Sequence, residues 1–364
     1  MLPVRIAGTG IAGLTLALAL RRAGLDNVEL FAPGPQAAKD PGLILPPNAT
    51  RILNALGLGE SLEAHSVEPT LMAERAWRSG YLLTQRPLGN FARQRYGAPH
   101  VVIGEAALEE MLHSQLSAYG PAGTGAAAGE ALLVGCDGAA SIVRDALGYP
   151  RALENSTLSA WRGRINPAEV PAGIDARTIT TWIGPGQIFR HWPSPEHGGV
   201  ELLAILPKAS TSLSHAFQNW HPAVRLLLQH SQAMHSQPIA ESPPISQWYH
   251  ANQVLLGDAC HLVHPYLQQS AALAMEDAWV LTRMLDRWEE ESTTAFRDYE
   301  RYRKVRINRV RAEAQSRWEE ATLGRGPSAQ RRNLRISLTN RFLPEMAMHQ
   351  LDWLYGYDCI SGFD

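Results

Sequence analysis

Three glycines in GTGIAG, Gly8, Gly10 and Gly13, have the G-x-G-x-x-G spacing of a dinucleotide-binding turn. The apolar segment before them predicts a strand, and TLALALRRAG after them predicts a helix. There, glycines allow a tight turn, let backbone approach a pyrophosphate and seat a helix whose N-terminal dipole favours an anion. Close packing of helix on strand is the alternative explanation. The position of the glycines between a strand and a helix favours the nucleotide-binding interpretation.

A carboxylate is expected at the end of the second strand of such a site, where it would bind the ribose. The segment VELFA ends in Ala32 instead. Glu29 lies three residues earlier and therefore on the opposite face of the strand. The sequence thus predicts a nucleotide site that lacks its ribose-binding acid.

The composition favours a small-molecule partner. The chain has 364 residues, of which 45% are hydrophobic and 19% charged, as in a compact globular protein. Its 33 basic and 35 acidic residues give a net charge of −2, so there is no electrostatic reason to expect nucleic acid. No apolar stretch has the length of a membrane span, and the start MLPVRIAGTG is typical of a strand rather than a signal peptide. These features predict a cytoplasmic protein.

Neither a disulfide framework nor a metal site is predicted. The cysteines, Cys136, Cys260 and Cys359, are odd in number and far apart. His261 and His264 form an H-x-x-H pair, but no third ligand stands at a recognisable spacing.

The pattern of apolar residues predicts an α/β chain that begins with a βαβ unit. After Ser159 the chain changes to short alternating segments such as TITTWIG and IFRHWP, typical of an antiparallel sheet. The basic run at 301–311 is interpreted as a solvated helix face, and Glu276 with Asp277 as a brace for the helix that carries them. The predicted elements are strands at 3–7 and 28–31, helices at 11–23, 46–57 and 105–118, a flexible loop at 120–130, a buried strand in ALLVGCDG, an antiparallel sheet at 159–208, a strand in NQVLLGDACHLVHP and a helix at 271–285.

Two further motifs accompany the glycine turn: CDGAASIVR, from Cys136 to Arg144, and LLGDACHLVHP, from Leu255 to Pro265. In this order the three resemble motifs of the single-component FAD-dependent aromatic hydroxylases, the class of para-hydroxybenzoate and salicylate hydroxylases. LPPNATRILNALGL, AWRGRI and PYLQQSAALAMEDAWVL look like the salicylate branch, so the resemblance covers nearly the whole chain. It implies an α/β fold with a Rossmann-like FAD-binding lobe at 1–158 and 250–290, an antiparallel-sheet substrate lobe at 159–249 and a C-terminal helical segment at 291–364.

The resemblance also implies which residues hold the cofactor. The glycine turn would face the FAD pyrophosphate, and the Gly-Asp motif would bind the ribitol or pyrophosphate end. The proline loop and the helix after it would face the isoalloxazine, and the Asp-Gly motif would serve the groove where NAD(P)H meets the flavin. The residues so implied are Gly8, Gly10, Ile11, Ala12, Gly13, Asp137, Gly138, Arg144, Gly257, Asp258, Pro265 and Gln269.

Several positions depart from the family pattern. Glu105 stands where relatives usually carry an arginine near the pyrophosphate, and Gln268-Gln269-Ser270 replaces a G-Q-G turn beside the flavin. Ile188 and Trp192 occupy the positions of a His and Tyr pair, and neither can transfer a proton. Only the 14 residues at 117–130 replace a strand and a three-stranded meander. The adenine side of the site is therefore expected to be open or rebuilt.

Three residues are candidates for the chemistry. Arg162 matches an arginine on the family's substrate sheet and would pair with a carboxylate or phenolate substrate, although a salt bridge within the fold explains it equally well. His264 is unusual for the family and would reach the pocket. His191 faces opposite to Trp192 in an alternating strand, so a histidine at the surface or in the sheet interface is favoured over a catalytic one.

Two functions are compatible with these residues. The first is an FAD-dependent monooxygenase that uses NAD(P)H and oxygen to hydroxylate a small aromatic substrate, acting as a monomer or homodimer. The second is a flavin-independent derivative of the fold, either a non-redox enzyme such as an isomerase, cyclase or dehydratase, or a non-catalytic biosynthetic partner. The surviving motifs favour the first function.

Overall fold

The computed structural model describes residues 2–34, 39–40, 42–120, 131–150, 157–196, 198–210, 212–232, 234–324, 326–342 and 349–363. The predicted loop at 120–130, and with it most of the shortened meander, lies outside the described residues except for Gly120.

The described residues fold into strands and helices along the whole chain. The strands are β1 Val4–Ala7, β2 Val28–Phe31, β3 Leu43–Leu45, β4 Ser66–Val67, β5 Leu71–Ala76, β6 Leu82–Pro87, β7 Val101–Ile103, β8 Leu132–Gly135, β9 Leu158–Ile165, β10 Thr178–Gly184, β11 Gln187–Pro193, β12 Val200–Pro207, β13 His235–Pro238, β14 Tyr249–His250 and β15 Gln253–Leu255. The helices are α1 Ile11–Arg22, α2 Pro47–Ala55, α3 Gly59–His65, α4 Asn90–Tyr96, α5 Glu105–Ser117, α6 Ile142–Ala146, α7 Leu213–Ala216, α8 Pro222–His230, α9 Ser270–Arg287, α10 Ser292–Ala321, α11 Pro327–Phe342 and α12 Asp352–Tyr355.

The first sheet is the Rossmann-like core, with strand order β14-β15-β8-β1-β2. Strand β1 pairs in parallel with both β2 and β8, and β15 pairs in parallel with β8. Helix α1 crosses from β1 to β2 and is buried along most of its length, because Leu14, Leu16 and Leu20 pack into the core. The predicted βαβ unit is confirmed, and so are the predicted strands at β8 and β15.

The second sheet has seven strands in the order β13-β9-β12-β11-β10-β5-β6. The predicted antiparallel segment forms β9 to β12, which confirms that expectation. Strands β5 and β6, from residues 71–87, extend the same sheet through a parallel pairing of β5 with β10, which the sequence did not predict. The division of the chain into lobes stays a prediction, and this sheet would add 71–87 to the substrate lobe.

The two faces of the seven-stranded sheet differ in their packing. One face carries Phe189, Leu202 and Ala204, which pack with Phe217 under helices α7 and α8 in a core of their own. Because side chains alternate along a strand, the neighbouring positions 188, 190 and 192 lie on the other face, toward the first lobe. That second face is the floor on which a site between the lobes is built.

Helices α9 and α10 are joined by a buried ion-pair cluster. Arg303 lies 2.8 Å from Glu276 and 2.6 Å from Asp277, and Arg306 lies 3.1 Å from Glu276. Both carboxylates and Arg303 are fully buried. Glu276 and Asp277 therefore brace helix α9 as predicted. The solvated interpretation of 301–311 is wrong for Arg303 and Arg306, because α10 turns these two side chains into the core.

Two further properties concern the described residues as a whole. Their helices include none that is both long enough and apolar enough to cross a membrane. Cys136, Cys260 and Cys359 are buried free thiols.

Candidate functional site

A cavity of about 790 Å³ lies where helices α1 and α9 begin, between the first sheet and strands β9 and β12 of the second. We call it the nucleotide groove. Gly10, Ile11 and Ala12 line it at the start of α1, Asp258 lines it from the Gly-Asp motif and Ser270 from the first position of α9. The second sheet contributes Arg162, Arg164, Glu201 and Gln237. The groove thus brings together the glycine turn and the Gly-Asp motif, and it also includes the arginine of AWRGRI, which the sequence analysis assigns to the substrate.

The glycine turn is a cradle that tolerates no side chain at two of its positions. Gly8 has φ of +128°, and a Cβ there would lie 2.3 Å from the carbonyl oxygen of Cys136. A Cβ on Gly13 would lie 1.9 Å from the carbonyl oxygen of Gly8. Gly10 is less confined, since its Cβ would meet Glu109 Oε1 at 3.4 Å, and it faces the groove. The glycines at 8 and 13 therefore let the turn close, and Gly10 exposes backbone to the groove.

Helix α1 presents its N-terminus to the groove without competition from its own side chains. Its N-cap residue is Gly10, which provides no side-chain cap, and its first turn carries no acidic residue. The first N–H groups of a helix have no partner inside the helix, and they attract anions. The cradle therefore fits a pyrophosphate.

The Gly-Asp motif closes the other side of the groove. Asp258 Oδ1 accepts a hydrogen bond from Ser270 Oγ at 2.8 Å, and burial raises the pKa of this carboxyl. Gly257 turns the chain with φ of +64° and donates its N–H to Asp277 Oδ2 at 3.1 Å. Asp258 can thus accept hydrogen bonds from hydroxyl groups of a ligand in the groove, and Gly257 shapes the turn that positions Asp258.

The groove carries unusual charges near the cradle. Arg162 forms an ion pair with Asp40, and Glu105 Oε2 accepts a hydrogen bond from the Asp40 backbone N–H at 2.6 Å. Lys39, also at the groove, pairs with Glu109. Burial raises the pKa of Glu105, which favours its neutral form. Glu105 therefore lines the groove without filling it, and the guanidinium of Arg162 is engaged in its ion pair with Asp40.

The Asp-Gly motif is placed only partly as predicted. Gly138 lines the groove, whereas Asp137 Oδ2 accepts N–H groups of Ile142 and Val143, at 2.8 and 3.3 Å, and so caps helix α6. Arg144 is fully buried, and its Nη2 donates to the carbonyl of Pro243 at 3.4 Å. The structure does not bring Arg144 to the groove, because α6 directs its side chain into the protein.

The two histidine candidates lie away from the groove. His191 is buried on the α7 and α8 side of the sheet, and burial lowers its pKa to about 4. His264 Nδ1 accepts the N–H of Tyr266 at 3.2 Å, and its ring packs 4.7 Å from that of Trp318. Burial also lowers the pKa of His264 to about 4. Neither ring belongs to the lining of the groove, which supports the structural interpretation of His191.

The turn before α9 has adapted to its side chains. Pro265 begins a short 3-10 turn, and Gln268 follows with φ of +53°, a conformation that favours the glycine of the family pattern. Gln268 Nε2 donates back to the carbonyl of Pro265 at 2.7 Å. Gln269 is buried, and its Oε1 accepts a hydrogen bond from Asn48 Nδ2 at 3.2 Å. Both glutamines thus hold the turn together.

A second, smaller cavity of about 40 Å³ lies beyond this turn, against the floor of the seven-stranded sheet. We call it the inner cavity. Its floor comes from β5, β10 and β11, and its roof from the turn at 265–268, from the residue before β7 and from α12. Its polar and aromatic lining residues are Glu74, Arg86, His100, Thr181, Arg190, Tyr266, Gln268, Arg317 and Tyr355.

Arg190 is the best-anchored charge of the inner cavity. Its Nε donates to Thr181 Oγ1 at 2.8 Å, and its Nη2 donates to the carbonyl of Tyr266 at 2.9 Å. The Tyr266 hydroxyl in turn donates to Glu74 Oε1 at 3.0 Å. Arg190 is buried and forms no ion pair with another described residue. A buried, hydrogen-bonded guanidinium of this kind can receive a carboxylate.

Arg190 is a site residue that no sequence motif singles out, although its position in the strand carries a signal. Trp192 was placed on the functional face, and residues two apart in a strand share a face, so Arg190 in IFRHWP belongs there too. Trp192 itself is buried, and its Nε1 donates to the carbonyl of Gly42 at 3.0 Å. Ile188 is buried as well. No sequence pattern marked His100.

Comparisons with known proteins agree with this site. The family model described as "FAD binding domain" matches residues 1–128 and 129–314. A 3-amino-4-hydroxybenzoate 2-monooxygenase of Streptomyces cremeus is 31% identical, over 97% of this chain and 94% of the relative. A 6-hydroxynicotinate 3-monooxygenase of Bordetella bronchiseptica is 26% identical, over 98% of this chain and 95% of the relative.

Solved structures show the same fold. HpxO of Klebsiella pneumoniae, complexed with FAD and uric acid, superposes with a TM-score of 0.77 at 24% identity, over 94% of this chain and 95% of that one. A salicylate hydroxylase in complex with substrate superposes with a TM-score of 0.80 at 19% identity, over 99% of this chain and 96% of that one. Family model, relatives and cradle together show that the chain belongs to the FAD-binding family, as an FAD-dependent aromatic hydroxylase.

Proposed function

We propose that this monooxygenase hydroxylates a small aromatic acid that carries a ring hydroxyl, with NAD(P)H as reductant. The observation that carries the proposal is the arrangement of the two cavities on either side of β3 and the turn at 265–268. The nucleotide groove has the size and the backbone cradle for a dinucleotide. The inner cavity has buried cations suited to an acid.

The chain's own groups account for cofactor binding. The backbone at Gly8, Gly10 and Gly13 would hold the pyrophosphate of FAD, and Asp258 would accept hydrogen bonds from the hydroxyl groups of its ribitol. Arg162 would face the same ligand once it leaves Asp40. Bound FAD supplies the redox chemistry that activates oxygen, and the protein contributes binding, orientation and exclusion of water.

The substrate class is inferred from the inner cavity and from the names of the relatives. Aminohydroxybenzoate, hydroxynicotinate and hydroxybenzoate, which those names contain, are all carboxylates. Arg190 and Arg86 line the inner cavity, and Arg86 Nε is buried without a hydrogen-bond partner among the described residues. These guanidiniums would bind the carboxylate, and the apolar Ile44, Met72 and Ile179 would contact the ring.

Entry of such an acid requires a small local movement. A cavity of about 40 Å³ holds little more than water, so a benzoate has to displace a side chain. Gln268 is the candidate, because among the described residues its side chain bonds only to the carbonyl of Pro265 in its own turn. A third cavity, of about 120 Å³, shares Glu74, Arg86 and Tyr266 with the inner cavity and extends it toward helix α11.

The test is direct. Purified protein should be yellow, should release FAD on denaturation, and should oxidise NAD(P)H faster when 3-hydroxybenzoate or 3-amino-4-hydroxybenzoate is added. The product should gain one oxygen atom by mass spectrometry, and benzoate serves as the control acid without a ring hydroxyl. Colourless protein without a thermal shift on addition of FAD would overturn the proposal and favour the flavin-independent function.

A further inference from the structure

His100 stands out among the polar groups that line the inner cavity. It precedes strand β7, and only 1% of its surface is exposed. Neither ring nitrogen has a hydrogen-bond partner in the part of the chain that the structure describes. The segment is fixed, because Thr50 Oγ1 donates to the carbonyl of Pro99 at 2.6 Å, and the imidazole packs edge-on against Tyr355, with ring centroids 5.6 Å apart.

Four other polar groups of the lining contrast with it. Arg190, Tyr266 and Glu74 are joined by hydrogen bonds, and Gln268 bonds within its own turn. A buried polar group without a partner costs free energy that an apolar side chain of the same shape would not. An imidazole with two such nitrogens at a cavity wall therefore indicates a partner that enters the cavity.

The charge state of His100 limits what that partner is. Burial lowers its pKa to about 4, so the ring is neutral near neutral pH, with one nitrogen as donor and the other as acceptor. A neutral imidazole complements a hydroxyl group, whereas Arg86 and Arg190 complement a carboxylate. A hydroxylated aromatic acid carries both groups on one ring.

We propose that His100 accepts a hydrogen bond from the ring hydroxyl of the substrate and thereby selects hydroxylated aromatic acids over acids that lack the hydroxyl. The inference rests on the proposed function and assigns one end of the same site. A hydrogen bond from the hydroxyl also increases the electron density that its oxygen donates to the ring. His100 thus orients the ring and favours its oxidation at the same time.

The test compares His100→Leu with the parent protein. FAD-loaded protein is titrated with 3-hydroxybenzoate and with benzoate, and the change of flavin absorbance reports binding. Loss of one hydrogen bond in a buried site should weaken binding of the hydroxy acid about tenfold and leave benzoate within about twofold. His113→Leu is the control, because His113 is exposed on α5 and lines neither cavity.

Two further measurements separate the outcomes. His100→Gln keeps an acceptor and a donor, so it should restore part of the preference for the hydroxy acid. Thermal unfolding of His100→Leu should occur at or above the parent temperature, since the substitution removes unsatisfied polar atoms. A large fall in that temperature would show that the fold itself needs His100 and would overturn the inference.

The other possible outcomes of the titrations also test the inference. An unchanged ratio of the two affinities in His100→Leu overturns the role of His100 and leaves the proposed function standing. If the parent protein binds FAD but neither acid, the inner cavity is not the site of an aromatic acid, and the substrate assignment fails together with the inference.

Discussion

The nucleotide groove and the inner cavity are built in opposite ways. The groove owes its shape to backbone, with Gly8 and Gly13 positioned so that any Cβ would collide with a carbonyl oxygen. The inner cavity is made of side chains that come from distant segments, such as Met72, His100 and Arg190. A site made of backbone is specified within a few consecutive residues. A site made of side chains exists only after the whole chain has packed.

The two regions also differ in charge. Asp40, Glu105, Glu201 and Asp258 line the groove, and burial raises the pKa of the last three. A raised pKa shifts each carboxyl toward its neutral form as pH falls, which would reduce the repulsion that an anionic cofactor meets. The inner cavity holds more cation than acid, which suits an anionic substrate. Substitutions that affect one region and spare the other therefore test this difference.

Gly13→Ala should have the largest effect, because it damages the nucleotide groove and leaves the residues of the inner cavity unchanged. Its Cβ would lie 1.9 Å from the Gly8 carbonyl oxygen, so the cradle must deform and bound FAD should be lost. The flavin-to-protein absorbance ratio after gel filtration measures this. Gly34→Ala is the matched control, because no atom of the residues that the structure describes lies within 4 Å of that Cβ position. Full FAD occupancy in Gly13→Ala would show that the cradle is not needed.

Arg303→Met should damage both regions together, because it breaks the brace of helix α9, which begins at the groove and follows the turn of the inner cavity. The variant leaves the buried carboxylates Glu276 and Asp277 short of a cation, which typically costs about 3–5 kcal/mol of stability. Urea unfolding measures the loss. Arg301→Met, at a side chain 81% exposed, should change little. Equal stability of both variants would contradict the structural role of the brace.

Acid should destabilise the protein through its histidines of lowered pKa, of which His264 is partly buried and two, His100 and His191, are fully buried. Both have a pKa of about 4 when folded and near 6.5 when unfolded, so the unfolded chain binds more protons between these values. Stability should therefore fall as pH decreases through this window, by about 3 kcal/mol for each ring at most. His191→Leu should reduce the pH dependence of the urea unfolding midpoint, whether or not substrate is present. Bound 3-hydroxybenzoate should change only the part of this pH dependence that comes from His100. Identical curves for parent and variant would refute this assignment.

Arg190→Met should affect the inner cavity and spare the groove. Loss of a charged hydrogen bond to the substrate carboxylate, about 2 kcal/mol, should weaken binding of 3-hydroxybenzoate roughly thirtyfold while FAD affinity stays within about twofold. Flavin absorbance titrations measure both affinities. Arg225→Met, on the exposed surface of α8, is the control. Loss of FAD with unchanged acid binding would invert the assignment of the two cavities.

Glu105→Gln should strengthen FAD binding, by about fivefold, since it removes a negative charge and keeps an oxygen for the Asp40 N–H. The raised pKa of Glu105 means that the parent carboxyl loses its charge as pH falls, so the difference should grow with rising pH. Quenching of flavin fluorescence measures the affinity. Glu110→Gln, exposed on the same helix, should have no effect. Weaker binding by Glu105→Gln would show that the charge itself supports the groove.

The residues of the nucleotide groove could largely be predicted from the sequence, whereas those of the inner cavity could not. The βαβ unit and the sheet at 159–208 follow from local patterns, and the structure has them. The family resemblance implied that Gly10 and Asp258 face one cleft, whereas Arg162 was expected at the substrate and lines the groove instead. The recruitment of 71–87 into the second sheet depends on a parallel pairing over a hundred residues apart, which no local pattern encodes. His100 and the burial of Arg303 depend on packing partners that only the folded chain brings together.

Helix α9 connects the two regions in a way that affects every affinity measured on this protein. Its first residues face the groove, the turn that leads into it covers the inner cavity, and its middle is held rigidly by α10. We expect occupancy of one cavity to change the free energy of filling the other through this helix, and linkage then requires the effect to be equal in both directions. An acid titrated into flavin-free protein and one titrated into loaded protein report two different constants, and their ratio measures the cooperativity that this helix transmits.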